Sequence, residues 1–184
     1  MEPFRAAIES VQRLLSKFDN RGVIIGGIAV GFLGKPRFTE DVDAMFLLST
    51  KDIPKFLEAA QAEGIQPRVS DAAEFGRKNR VLLLRHVPSN INIDITLGIL
   101  PFEEEMVARA SVQSVTTLSV RLPTPEDLII MKAIANRPKD LEDIRTIIDK
   151  HPKLDIGRIR QWVKSFAEAF ETPGLWTDIE DMFK

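Results

Sequence analysis

The sequence predicts an α+β fold, with strands and helices interleaved up to about Leu122 and helices alone after it. Three features predict this. A short apolar strand at 23–25 runs into paired glycines, extended segments occupy 37–48 (apolar from 44 on), 81–86 and 91–96, and 3.6-residue apolar stripes mark both ends of the chain. The pattern changes near Thr124, which is the expected seam.

In chain order, Phe4, Ala7, Ile8, Val11, Leu14, Leu15 and Phe18 form one helical stripe over 4–18, and Asn20-Arg21-Gly22 should end it as a glycine stop. Residues 28–33 read as a short helix closed by Gly34-Lys35-Pro36. Ser49-Thr50-Lys51-Asp52 opens another, with Ile53, Phe56, Leu57 and Ala60 inward, reaching about 63 before Gly64. The stretch 65–78 is irregular. Residues 75–80 carry Arg77, Lys78 and Arg80 and read as a basic loop, either a solvated face or a contact for triphosphate or an RNA backbone. Val87-Pro88-Ser89-Asn90 joins two strands as a hairpin-like turn. Residues 101–110 form a helix whose Glu103-Glu104-Glu105 suit its first turn as caps, and 112–122 is expected as one further strand. Pro123-Thr124-Pro125 starts a helix that Pro138 breaks. Helical stripes then resume over 140–150, 156–170 and 176–183, where Trp162, Phe166, Phe170 and Trp176 read as core or interface.

The 184 residues suit one domain, or one with a small helical appendage, and an apolar fraction of 44% supports a core. A formal charge of -2 argues against a broad nucleic-acid-coating surface. With no Cys, disulfides, thiolate zinc sites and a cysteine nucleophile are excluded, which fits a reducing compartment. No apolar run reaches membrane-spanning length and MEPFRAAIES is too charged for a signal peptide, so a cytoplasmic protein without a membrane partner is expected. Neither His86 nor His151 has a metal-ligand spacing, and the chain has no Gly-x-Ser-x-Gly elbow and no Walker lysine.

The chemistry gathers in GGIAVGFLGKPRFTEDVD, from Gly26 to Asp43. Alternation along a strand points Asp41 and Asp43 the same way. Two carboxylates side by side repel unless a cation or proton sits between them, and a hard divalent ion, Mg²⁺ or Mn²⁺, takes carboxylate oxygens while keeping sites for phosphate. Glycines ahead of a helix let backbone N–H groups approach an anion. On a later strand Asn92, Asp94 and Thr96 share a polar face. A carboxylate among isoleucines needs a partner, and Asp94 has two options: a structural arginine, or the cation of the first pair.

At these residues, Gly26-Gly27 and then Arg37-x-Thr39-x-Asp41-x-Asp43, the chain resembles the DNA polymerase β-type nucleotidyltransferase superfamily, and within it the small bacterial AbiEii-like toxin branch. Ile28 stands where many members carry Ser, so a hydroxyl contact falls to Thr39. The likeness extends loosely to 125–148. It implies a nucleotidyltransferase-like mixed β-sheet with flanking helices over 1–122 and a helical C-terminal tail over 123–184 packed on it. It also implies in-line transfer of a nucleoside monophosphate from an NTP such as ATP to a hydroxyl. Asp41, Asp43 and Asp94 would be catalytic and hold Mg²⁺ (or Mn²⁺). Gly26, Gly27, Arg37, Thr39, Lys132 and Lys139 would bind the nucleotide, although an exposed lysine and a helix start account equally for the last two. The implied acceptors are a tRNA, a protein or a small molecule such as an aminoglycoside, and the implied partner is a cognate antitoxin. Two alternatives stay open: a catalytically silent nucleotide-binding or antitoxin-partner module of the same fold, and an interaction protein with an idle acidic pair.

Overall fold

The computed structural model describes residues 2–115 and 117–184; Met1 and Thr116 lie outside the described residues, the latter within the stretch expected as one strand. In order the elements are α1 (Glu2–Lys17), β1 (Gly22–Ile24), α2 (Gly26–Leu33), β2 (Asp41–Phe46), α3 (Ile53–Ala62), β3 (Ile65–Pro67), α4 (Ala72–Asn79), β4 (Val81–His86), β5 (Ile91–Leu97), α5 (Pro101–Arg109), β6 (Ser111–Val115), β7 (Leu118–Leu122), α6 (Pro125–Ala135), α7 (Pro138–Lys150), α8 (Ile156–Ala169) and α9 (Thr177–Glu180). They divide between two compact units, Met1–Ile28 with Phe38–Leu122, and Ala29–Arg37 with Pro123–Lys184.

The first unit is built on a five-stranded mixed sheet in the order β1-β2-β5-β4-β3. Only β2 and β5 run parallel; the other neighbours are antiparallel. The register sorts side chains into two faces. Val42 pairs with Ile93 and Ile93 with Leu84; one row on, Ala44 pairs with Ile95 and Ile95 with Leu82, and all six are buried. α1 and α3 contact this sheet, and Phe18, Phe46 and Phe56 interlock with ring centroids 4.9–6.3 Å apart. Asp41, Asp43, Asn92 and Asp94 fall on the opposite face, because each lies one residue out of phase with the buried set. β6 and β7 form a separate two-stranded sheet, which Arg121 ties to β1 and α5 by donating to the carbonyls of Gly22 (3.2 Å) and Val107 (2.9 Å).

Several local expectations change here. Asp19 and Asn20, both at φ 54°, turn the chain after α1, while Gly22 is already in β1. Short polar side chains tolerate the left-handed region. What Gly22 supplies is closeness, since a Cβ there would meet the Met45 carbonyl at 2.3 Å. The irregular stretch contains the short edge strand β3, and the expected basic loop is the helix α4, with Arg77 and Lys78 in its last turn where the dipole favours cations. Gly76 disguised that helix; a Cβ there would come within 2.5 Å of Leu82 Cδ2, so the packing requires a residue that propensity counts against a helix. Residues 112–122 form two strands rather than one, paired from Ser111↔Leu122 to Val115↔Leu118. Glu103 caps α5 as expected, accepting from the backbone N–H groups of Ile99 and Leu100.

In the second unit α6 packs on α7 and α8. Thr124 accepts from the Asp127 N–H to start α6, and Asn136 ends it in the left-handed region. Lys150 donates to the carbonyl of Phe32, and the His151 ring bonds that of Leu33, so both serve orphan carbonyls at the end of α2. Among the described residues no helix is long and apolar enough to cross a membrane.

Candidate metal and nucleotide site

The parallel pairing of β2 with β5 sets Asp43 directly beside Asp94 and Asp41 beside Asn92. Each of Asp41, Asp43 and Asp94 offers a carboxylate oxygen, and these oxygens lie within 4.8 Å of one another, all three side chains being half-buried. An octahedral Mg²⁺ about 2.1 Å from each ligand spans at most about 4.2 Å across itself. A small side-chain rotation therefore brings this all-oxygen donor set to the geometry of a hard divalent ion, and the residues fit it.

The glycine turn is shaped around the same cluster. Gly26 sits at φ 62°, and a Cβ built on it would lie 1.9 Å from Asp43 Oδ2. Any other residue would therefore strain the backbone and displace the carboxylate together. The Ile25 N–H donates to the Asp43 carbonyl at 2.9 Å, pinning the end of β1 to β2, and Gly27 follows, buried, in the first turn of α2. Thr39 directs its hydroxyl to Asp41 Oδ1 at 3.1 Å and its carbonyl at 3.3 Å. Its hydroxyl thus orients a carboxylate of the cluster.

A residue that sequence reasoning did not single out completes the cluster. Arg68, just after β3, pairs with Asp94. Asp94 thus faces both an arginine and the other two aspartates. No local signal identifies Arg68, because its proximity arises from strand order.

The remaining nucleotide-site candidates lie in the second unit. Arg37 donates through Nε and Nη2 to Asp143 at 2.9 and 3.1 Å. Lys132 is buried, its ammonium 2.8 Å from Asp140 and 2.9 Å from Asp143. Burial would raise the Asp140 carboxyl, but hydrogen bonds from Arg137 and Lys132 and their charges outweigh it and hold it below the usual range. Lys139 is exposed on the first turn of α7. His86 is buried between the hydroxyls of Ser10 and Ser89, and desolvation pushes its pKa down.

A family model described as nucleotidyltransferase of unknown function (DUF6036) matches residues 2–171, and the chain belongs to that family. The class is thereby defined as nucleotidyltransferase. No curated protein matches the chain in sequence. Among solved structures, a nucleotidyltransferase-like antigen from Paracoccidioides brasiliensis aligns with a TM-score of 0.59 at 16% identity, covering 100% of this chain and 93% of that one. The antibiotic-resistance factor ANT(2″)-Ia aligns at 0.55 and 14% in solution, covering 90% of this chain and 93% of that one. Its crystal complex with adenylyl-2″-tobramycin aligns at 0.56 and 15%, covering 89% and 98%. At such identities the likeness establishes the fold, a nucleotidyltransferase-like mixed sheet with helices.

Proposed function

We propose that this chain transfers a nucleoside monophosphate from an NTP, ATP being the first donor to test, to an acceptor hydroxyl, with Mg²⁺ or Mn²⁺ held by Asp41, Asp43 and Asp94. The observation that carries this reading is the β2–β5 register, which sets Asp94 beside Asp43 on the face that also holds Asp41. Bound there, divalent ions would neutralise phosphate charge and lower the pKa of the attacking hydroxyl. The rest falls to the chain. The backbone N–H groups of Gly26 and Gly27 approach the triphosphate at the start of α2. Thr39 keeps Asp41 turned into the cluster, and Gly26 leaves room for Asp43. The acceptor oxygen bonds to the α-phosphorus, the bond from that phosphorus to the pyrophosphate oxygen breaks, and Asp94 takes the hydroxyl proton.

The acceptor follows from which likeness extends to function. An AbiEii-like toxin would label a tRNA or a protein, and would have an antitoxin partner. A relative acting like ANT(2″)-Ia, whose complex holds adenylylated tobramycin, would label an aminoglycoside. Incubating the chain with α-labelled NTPs, Mg²⁺ or Mn²⁺, and in turn total tRNA, cellular protein and tobramycin tests all of these at once. Label on one acceptor class, lost in Asp43→Asn, is the expected result. Ile28, in the place of a serine hydroxyl, favours the second reading, a silent module; that reading predicts metal-dependent NTP binding with no label on any acceptor.

A further inference from the structure

Arg68 lies at the end of a row that crosses three strands, β4, β5 and β2. Its backbone N–H donates to the Leu83 carbonyl at 3.0 Å, Leu83 is the register partner of Asp94, and Asp94 is that of Asp43. Strands stand about 4.8 Å apart, so the guanidinium spans about two strand widths, over β4, to reach Asp94 Oδ1. It arrives from a short bend between β3 and α4 whose last residue, Asp71, takes φ 54°, and its side chain stays 28% exposed. A partly solvated arginine on a bend can exchange partners. Phosphate is the partner it exchanges for most readily, because the planar fork matches two phosphate oxygens at once.

Asp41 and Asp43 sit on one strand, while Asp94 comes from another and carries the arginine. A cation that needs Asp94 must therefore share it with, or take it from, a fixed positive charge. We propose that Arg68 couples cation binding at Asp94 to the nucleotide: while the guanidinium holds Asp94, that carboxylate binds a divalent ion weakly, and a triphosphate that draws Arg68 onto its oxygens releases Asp94 to the ion. Arg68 is thus a positioning residue that delays full loading of the centre until substrate is present. The inference rests on the reading of the triad as a cation site.

The test is Mn²⁺ binding to the full chain, followed by electron paramagnetic resonance of free Mn²⁺, with and without an α,β-methylene ATP analogue that cannot be turned over. In wild type, Asp94-dependent binding, defined as what Asp94→Asn removes, should be weak alone and tighten at least tenfold with the analogue. In Arg68→Gln it should be about tenfold tighter than wild type without any nucleotide, since a repelling charge is gone, and should gain little more from the analogue. Arg68→Lys, which keeps the charge, should bind Mn²⁺ alone as wild type does and lose part of the gain from the analogue. Circular dichroism confirms that each variant folds. Equal Mn²⁺ affinities for wild type and Arg68→Gln in the absence of nucleotide would overturn the Arg68 inference while leaving the triad reading in place. Mn²⁺ binding unaffected by both Asp43→Asn and Asp94→Asn would overturn the two together.

Discussion

Two clusters of aspartates, one in each unit, solve the problem of crowded negative charge in opposite ways. In the second unit Asp140 and Asp143 are buried, at 0% and 3% exposure, and the Lys132 ammonium sits on both while Arg37 and Arg137 complete the set. In the first, Asp41, Asp43 and Asp94 are only half-buried and turn their carboxylates toward one another within 4.8 Å. At that separation two like charges cost roughly 3 kcal/mol at an effective dielectric constant near 20. The chain supplies an ammonium for both carboxylates of the sealed cluster; in the half-open one the Arg68 guanidinium sits on Asp94, and the cluster stays within reach of solvent ions. Aspartates of the first kind hold helices together, and those of the second suit a cation that comes and goes.

The sharpest way to break this contrast is Asp43→Asn. It should lower nucleotidyl transfer by at least about 10³-fold, as expected when a centre loses a metal ligand, with circular dichroism unchanged. A lost fold would instead make Asp43 structural. The converse experiment is Lys132→Met, which leaves Asp140 and Asp143 facing each other in a buried site. It should cost about 3–5 kcal/mol in urea unfolding, whereas a lysine acting only on nucleotide would lose activity at unchanged stability.

Between these falls a test by ligand. Mn²⁺ at a hundred times its Kd should stabilise the wild type by about 2.7 kcal/mol, and chelation should remove the gain. Asp43→Asn should show little of it, and a modest reduction of the α6–α7 network, such as Arg137→Gln, should leave it whole. The smallest effect is on pH. Asp140 titrates below the usual range when folded, so it contributes stability above about pH 4 that is lost as the pH falls through its folded value. Burial, with the charge of Arg13, pushes the His86 pKa down, so stability also declines as the pH falls below about 6.5, until the folded imidazole itself takes up a proton. Thermal melts across pH 3–8 should show both steps, and His86→Gln should flatten only the upper one.

Much of this was legible in the residues themselves. Period 2 placed Asp41 and Asp43 on one side of β2 and Asp94 on the polar side of β5, and period 3.6 located α1, α3 and α6–α8. What misled was local composition with a non-local cause. Gly76 looked like a loop residue because the Leu82 side chain that excludes a larger one lies across the packing from it, and β3 is too short to show alternation. Lys132 reads as an ordinary helix lysine until α7 brings Asp140 and Asp143 against it.

By itself the sequence determined which side chains share a face, because alternation and helical pitch are properties of the local backbone. It also determined where a residue without a Cβ was available beside the acidic strand. Only the tertiary structure decided that β5 lies parallel to β2 in the register pairing Asp43 with Asp94, and that β3 ends where Arg68 can reach across β4. Strand order and register are set by the summed burial of side chains distant in sequence, and no single stretch of the chain contains that sum.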